Sequence, residues 1–342
     1  PPMRITDVRA VIPRGTNEPR DWRTAMAQIA VLIETDAGLT GLGVGGGGPA
    51  AVHVVETVLS EVLVGRDPSD IDRLWHAMYR ATLPFGRKGV AVWALSGVDL
   101  ALWDLAGKVS EKPVYALLGG LRNAAIPVYA SIGHEVRDEA EQGFRHVKLH
   151  MPRPSPGVAR NVEVVRRARE RLGPEIALYV DAFLEWDVET TVRLADAFVA
   201  SDVRWIEEPL SPDDLDGYAT LCRRSPIPIA GGEHECTRWG FEEVIARRAH
   251  QILQPDASWC GGLTALREIF RLGAESDLWV VPHRGAEVWG LHAIAALSPA
   301  PLAESGRPWV TWLRGEPGVA RGMVRPTDAP GFGVELDPAA LP

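Results

Sequence analysis

Leu178-Tyr179-Val180-Asp181, Trp205-Ile206-Glu207 and Ile229-Ala230-Gly231-Gly232-Glu233 share one arrangement, a short apolar run closed by an acid, and the acids recur at a step of 26 residues. A run of three to five apolar residues fits a buried strand, and the step leaves room for one helix and its turns. Similar runs lie outward at 127–130, 146–149, 251–253, 278–281 and 301–303, and amphipathic stretches such as Val158–Leu172 and 190–199 separate most of them. About eight such βα units predict a closed parallel barrel, with its chemistry at the C-terminal ends of the strands.

The first third of the chain has another grammar. Val- and Ile-rich stretches at 4–13 and 28–35, the turn Asp36-Ala37-Gly38 and a short run at 40–44 predict strands. Helical patterns follow at 50–62, 68–79 and Val90–Val109; in the last, Val92, Leu95, Val98, Leu102 and Leu105 share a face. The expected architecture is α/β: a (β/α)7β barrel over 126–309 beside an α+β capping domain over 1–125, which the Pro- and Gly-rich tail 310–342 returns to complete. No apolar run is expected to span a membrane, and Pro1-Pro2-Met3-Arg4 carries no signal-peptide pattern.

The 342 residues carry a net charge of −9, which argues against nucleic acid as a partner because phosphate binding needs a basic face. Cys222, Cys236 and Cys260 form no CxxC and are odd in number, the usage of a reducing compartment, so a cytoplasmic location is expected.

Asp181, Glu207 and Glu233 should converge, since neighbouring strands lie about 4.8 Å apart. Carboxylates about 4 Å apart at an effective dielectric near 20 repel by roughly 4 kcal/mol per pair. A hard cation removes that cost, and an all-oxygen donor set points to Mg²⁺. A histidine-rich set for a zinc hydrolase is lacking. Glu208, next to Glu207, should be turned away by strand alternation. Asp256 follows Leu253-Gln254-Pro255 and His283 follows Val280-Val281-Pro282 on the next strand, so the pair suits a general base with its tautomer fixed by a carboxylate. Lys148 and His150 alternate to one side of their strand and face the metal from the side opposite His283. Glu304, on the last strand, could donate to an oxyanion if protonated, or cap a turn. The run at 45–48 lacks the Lys-Ser/Thr of a phosphate loop and reads as a lid hinge.

These residues resemble the enolase superfamily, mandelate racemase-like subgroup, over almost the whole chain. The resemblance is carried by Thr35-Asp36-Ala37-Gly38-Leu39-Thr40-Gly41, by Gly97-Val98-Asp99-Leu100-Ala101-Leu102-Trp103-Asp104-Leu105, and by Ile206-Glu207-Glu208-Pro209. Within the subgroup, Gly86-Arg87-Lys88-Gly89-Val90, Gly232-Glu233-His234-Glu235 and Trp259-Cys260-Gly261-Gly262-Leu263-Thr264 resemble acid-sugar dehydratases of the L-rhamnonate type. His150 stands where a second lysine is common, and Phe183 where asparagine is.

The resemblance implies a Mg²⁺-dependent dehydratase of a small sugar acid, with His283 and Asp256 as the working dyad. Its specificity lid would lie at 14–23. Arg20, Trp22, Arg87, Lys88 and His234 are the candidate substrate contacts. A homo-oligomer is expected, with no nucleic-acid or membrane partner. A racemase or epimerase on the same site is the alternative, and a non-catalytic binding barrel a remote one.

Overall fold

The computed structural model describes residues 3–14 and 28–341. It opens with an antiparallel sheet of β1 (Ile5–Val11), β2 (Ile29–Thr35) and β3 (Thr40–Gly45), in that order. Helix α1 (Gly48–Val54) continues through the π-helical turn Val55–Leu59 into α2 (Ser60–Leu63), followed by α3 (Ile71–Thr82), α4 (Val90–Val109) and the short α5 (Val114–Leu117).

Helix α4 lies on the sheet because β3 has no side chains on that face. A Cβ at Gly41 would stand 2.2 Å from the Ala101 carbonyl, and one at Gly43 2.1 Å from that of Gly97. Strand alternation puts both glycines on the helix side. The same contact corrects the hinge expected at 45–48. All four glycines are buried, and a Cβ at Gly45 would stand 2.4 Å from the Trp93 carbonyl. The run is a close-packing device, and Gly47, at φ 103, turns the chain into α1. Helix α4 also corrects the expected lack of a span-length apolar run: its 20 residues are long and apolar enough by length and composition, but 83% of the apolar window is buried as the domain core.

The barrel strands are β4 (Ile126–Ile132), β5 (His146–His150), β6 (Ala177–Asp181), β7 (Val203–Glu207), β8 (Ile229–Gly231), β9 (Ile252–Leu253), β10 (Trp279–Val280) and β11 (Ala303–Glu304). They pair in parallel in the order β10-β9-β8-β7-β6-β5-β4-β11. Between β10 and β11 no ladder forms; the Ala286 amide donating to the Glu304 carbonyl (2.8 Å) draws the ends together. Tyr129, Tyr179, Trp205, Ala230, Ile252, Val281 and Leu302 pack together as a separate cluster inside the curl, and Tyr179 stacks on Trp205.

Helices α6 (Val158–Leu172), α7 (Val188–Phe198), α8 (Leu215–Arg224), α9 (Thr237–Ala246), α10 (Gly262–Glu275) and α11 (Val288–Leu297) cover the outside. Residues 133–145, between β4 and β5, form turns and no helix. They hold too few apolar residues at helical spacing to make a packing stripe.

Polar side chains of α4 tie the domains together. Ser96 accepts from the Gly261 amide (2.9 Å), and Asp99 accepts from the amide (2.9 Å) and hydroxyl (2.6 Å) of Thr264 in the first turn of α10. Asp104 accepts from Leu42 on β3 (2.8 Å) and from Phe332 in the tail (2.9 Å). That tail touches both domains: β13 (Met323–Val324) pairs with β4 and the Gly331 carbonyl accepts from the Val114 amide (2.9 Å), while β12 (Leu313–Arg314) and β14 (Glu335–Leu336) pair within the tail.

His292 on α11 gives the fold an acid-sensitive point. It is fully buried between Tyr115 and Phe332, its Nδ1 accepts from the Tyr115 amide (3.1 Å), and burial pushes its pKa down to about 4. Because the folded value lies below the unfolded one, its contribution is full above pH 6.5 and is lost as pH falls through 4, on the order of 3 kcal/mol. His292→Gln, which keeps an acceptor, should flatten this part of the urea-midpoint profile between pH 6.5 and 4. An unchanged slope would assign the acid sensitivity to other groups.

Candidate active site

The predicted acids do stand on consecutive strands. Asp181 ends β6 and pairs in register with Glu207, which ends β7; Glu233 follows β8 by two residues. All three are buried. Just past these strand ends the backbone turns left-handed at Phe183 (φ 43), Leu184 (φ 66), Glu208 (φ 37) and Arg284 (φ 53). Such non-glycine conformations cost free energy and persist where the surroundings enforce them, as at binding sites.

That turn overturns one expectation. Alternation ends with β7, and the carboxylate of Glu208 is directed inward, with Oε2 2.6 Å from His234 Nδ1. Ligand atoms of Glu208, Glu233 and His234 all lie within 4.8 Å of one another. Glu208 is therefore part of the acidic cluster.

Lys148 is wholly buried on β5 and reaches Glu207 (2.6 Å), Glu304 (2.8 Å) and Asp181 (3.7 Å). His150, two residues on, places Nδ1 3.0 Å from Asp181 and Nε2 3.0 Å from the Ser131 hydroxyl. Glu207 also accepts from Gln254 (2.7 Å). Burial pushes the Glu207 carboxyl up to about 8, aided by Asp181, Glu304 and Glu233 against the pull of Lys148. Burial likewise raises Glu233. One lysine thus faces more buried negative charge than it balances. The unbalanced donors are all oxygen, so Asp181, Glu207 and Glu233 fit a hard divalent cation. For Glu304 burial alone would raise the carboxyl, yet Lys148 and His283 hold it at about 2. It also accepts from the Arg284 amide (2.8 Å), so Glu304 stands between Lys148 and the backbone of the His283 strand end.

On the facing side, His283 Nδ1 lies 2.7 Å from Asp256 Oδ2, and the two residues form a backbone bridge between extensions of β9 and β10. Nε2 looks across the cluster at Glu233 (3.5 Å) and Glu304 (3.8 Å). Burial pulls the imidazole down, but Glu233, Glu304 and Asp256 outweigh it and raise His283 to about 9. Two partners of Asp256 are not evident from spacing alone. Arg284 donates through Nε (2.8 Å) and Nη2, and Ser258 donates both its amide and hydroxyl at 2.7 Å. The signal for Arg284 was its place directly after a strand-end histidine. Trp259 lies over this dyad, 5.7 Å from the His283 ring between centroids, and stacks on Trp93 at 4.9 Å. Through that stack α4 reaches the site.

The candidate substrate contacts divide. His234 is part of the cluster. Lys88 binds Glu235 (2.7 Å) and so joins the capping domain to the barrel at the rim. Arg87 beside it is exposed. Arg20 and Trp22, with most of the lid at 14–23, lie outside the described residues.

Comparison with known proteins gives the family of both domains. A family described as the enolase C-terminal domain-like family matches residues 131–340, and the mandelate racemase / muconate lactonizing enzyme N-terminal domain matches 15–119. The chain is 38% identical over 330 residues to an L-rhamnonate dehydratase of Saccharopolyspora erythraea, covering 92% of this chain and 84% of that one. The crystal structure of rhamnonate dehydratase from Gibberella zeae complexed with Mg superposes with a TM-score of 0.91 at 32% identity, covering 99% of this chain and 95% of the other. L-talarate dehydratase from Polaromonas sp. JS666, complexed with Mg and L-glucarate, gives a TM-score of 0.87 at 29% identity, covering 99% and 96%. Both domains agree: the chain belongs to the mandelate racemase / muconate lactonizing enzyme family of the enolase superfamily.

Proposed function

We propose that this protein is a Mg²⁺-dependent acid-sugar dehydratase, a hydro-lyase that converts an aldonate or a related sugar acid into the 2-keto-3-deoxy acid. The observation that carries this reading is the His283–Asp256 pair, 2.7 Å apart, with Nε2 open to the carboxylate cluster. The likeness to rhamnonate and talarate dehydratases supports it. Asp181, Glu207 and Glu233 would hold Mg²⁺, whose positive charge would offset the second negative charge that forms when a proton leaves the carbon beside a carboxylate. Enolase-type sites in general pair such ions with a Lys or His base.

The side chains supply the rest. A cation on the carboxylates would offset the pull of Glu233 and Glu304 that raises His283; with Asp256 accepting Nδ1–H, the Nε2 lone pair is then left to take the C2 proton. Arg284 and Ser258 hold Asp256 in place. Once protonated, His283 is the acid for the departing 3-hydroxyl: the C2–H and C3–O bonds break, water leaves, and the enol becomes the 2-keto acid. One imidazole serving both steps implies loss of proton and hydroxyl from the same face. Lys148, caged by Glu207 and Glu304, fixes the charge balance opposite. The racemase alternative needs a second base on the other face, and His150 already has both ring nitrogens engaged, by Asp181 and Ser131.

The test is a panel of acid sugars with Mg²⁺, assayed for 2-keto product and for exchange at C2. Keto-acid formation from at least one member is expected. Epimerisation without keto product would establish the racemase instead, and no reaction across the panel would leave a binding barrel.

A further inference from the structure

We infer that Arg153 selects the substrate by its far end, favouring a sugar acid with a second carboxylate, a diacid, over one with a neutral tail. This rests on the reading of the site as one for acid sugars and adds to it a class of substrate.

The placement comes from two loops. Arg153 follows β5 by three residues and Phe183 follows β6 by two, so both stand at the rim where the carboxylate cluster opens. The Phe183 amide donates to Asp181 Oδ1 (2.9 Å), and its left-handed backbone turns the ring onto the edge of His234, 5.8 Å between centroids at 71°. The ring therefore borders the cluster itself. On that ring lies the guanidinium of Arg153, its central carbon 4.0 Å from the centroid. Arg153 is exposed, and among the described residues it pairs with no carboxylate.

Two other arginines near the barrel mouth are already paired. Arg284 is bound to Asp256, and Arg307 to Glu287 at 2.6 Å. Arg153 keeps its hydrogen-bonding edge free of any carboxylate among the described residues, while stacking on Phe183 restricts the side chain and lowers the entropy lost on binding. The distance suits a short chain. The guanidinium and the His234 ring contact the same Phe183 ring, at 4.0 Å and 5.8 Å, so Arg153 lies no more than about 10 Å from the imidazole beside Glu233. A six-carbon acid spans about 6 Å between its end carbons by backbone-like bond geometry, and a carboxylate contact at each end adds about 3 Å. A substrate with C1 at the acidic cluster would bring C6 to the rim, where a carboxylate matches the planar fork of the arginine.

The test compares a six-carbon diacid with its 6-deoxy monoacid of the same C2–C5 configuration, in wild type and Arg153→Gln, both loaded with Mg²⁺. Wild type should favour the diacid by about tenfold or more in kcat/KM, the size of one charge-assisted hydrogen bond. Arg153→Gln should erase that preference by raising KM for the diacid, with kcat and the monoacid constants unchanged. A wild-type preference for the monoacid that survives in Arg153→Gln would overturn the inference. If neither acid is dehydrated, the reading of the site is decided by the wider panel, and calorimetry with the same two acids still decides on Arg153. Tighter diacid binding that disappears in the variant supports the selection; equal affinities for the two acids, or a diacid preference that persists in the variant, refute it.

Discussion

His283→Asn is expected to lose dehydration by about 10³- to 10⁴-fold in kcat, the range of a general acid–base residue that acts in both proton transfers. Asparagine can still donate to Asp256 in place of the Nδ1–H, so the Asp256–Arg284–Ser258 network should persist and thermal stability should change little. What disappears is the proton acceptor at the Nε2 position, 3.5 Å from Glu233. Exchange of a C2 deuterium should be lost together with keto-acid formation, because one group does both. His150→Asn should retain exchange at C2, with a smaller loss of rate from the broken contacts to Asp181 and Ser131. Full activity in His283→Asn with none in His150→Asn would reverse the assignment and place the base on the opposite face.

Metal removal should abolish activity altogether. EDTA followed by dialysis is expected to bring turnover to background, and Mg²⁺ to restore it. In Glu233→Gln the same addition should fail. The substitution removes a charge from the donor set without changing its shape, and calorimetry should show Mg²⁺ affinity lower by tenfold or more, in line with roughly 1.5–3 kcal/mol for a charged contact. Glu208→Gln separates the two acids of Glu207-Glu208. With Glu207 as the ligand, Glu208→Gln should bind Mg²⁺ at near wild-type strength, whereas Glu207→Gln should not. Equal loss in both would make the inward turn of Glu208 part of the metal site.

How much of this was legible beforehand follows from the range over which each cause acts. The barrel, the capping sheet and the acids Asp181, Glu207 and Glu233 were readable because strand alternation and the length of a βα unit are local, and their repetition along the chain implies a parallel sheet. The same holds for Asp256 and His283 on adjacent strand ends. Beyond the ladders, local rules stop. Glu208, Phe183 and Arg284 stand one, two and four residues past a strand end with φ of 37°, 43° and 53°, and there tertiary packing, not period, sets the direction of the side chain. The glycines at 45–48 look flexible as a run, yet only the approach of α4 and Trp259 shows that they leave room for neighbours.

Composition and period by themselves determined the fold class and which strand ends carry acids, since both arise from contacts near in the chain. The charge partners of those acids were decided by the tertiary structure alone. Lys148 meets Glu207 and Glu304 from residues 59 and 156 positions away only when the sheet curls, and Arg284 reaches Asp256 across 28 residues by the same curvature. An unpaired charge is costly only once it is buried, so the ionic arrangement of the site exists as a property of the closed barrel and not of any segment.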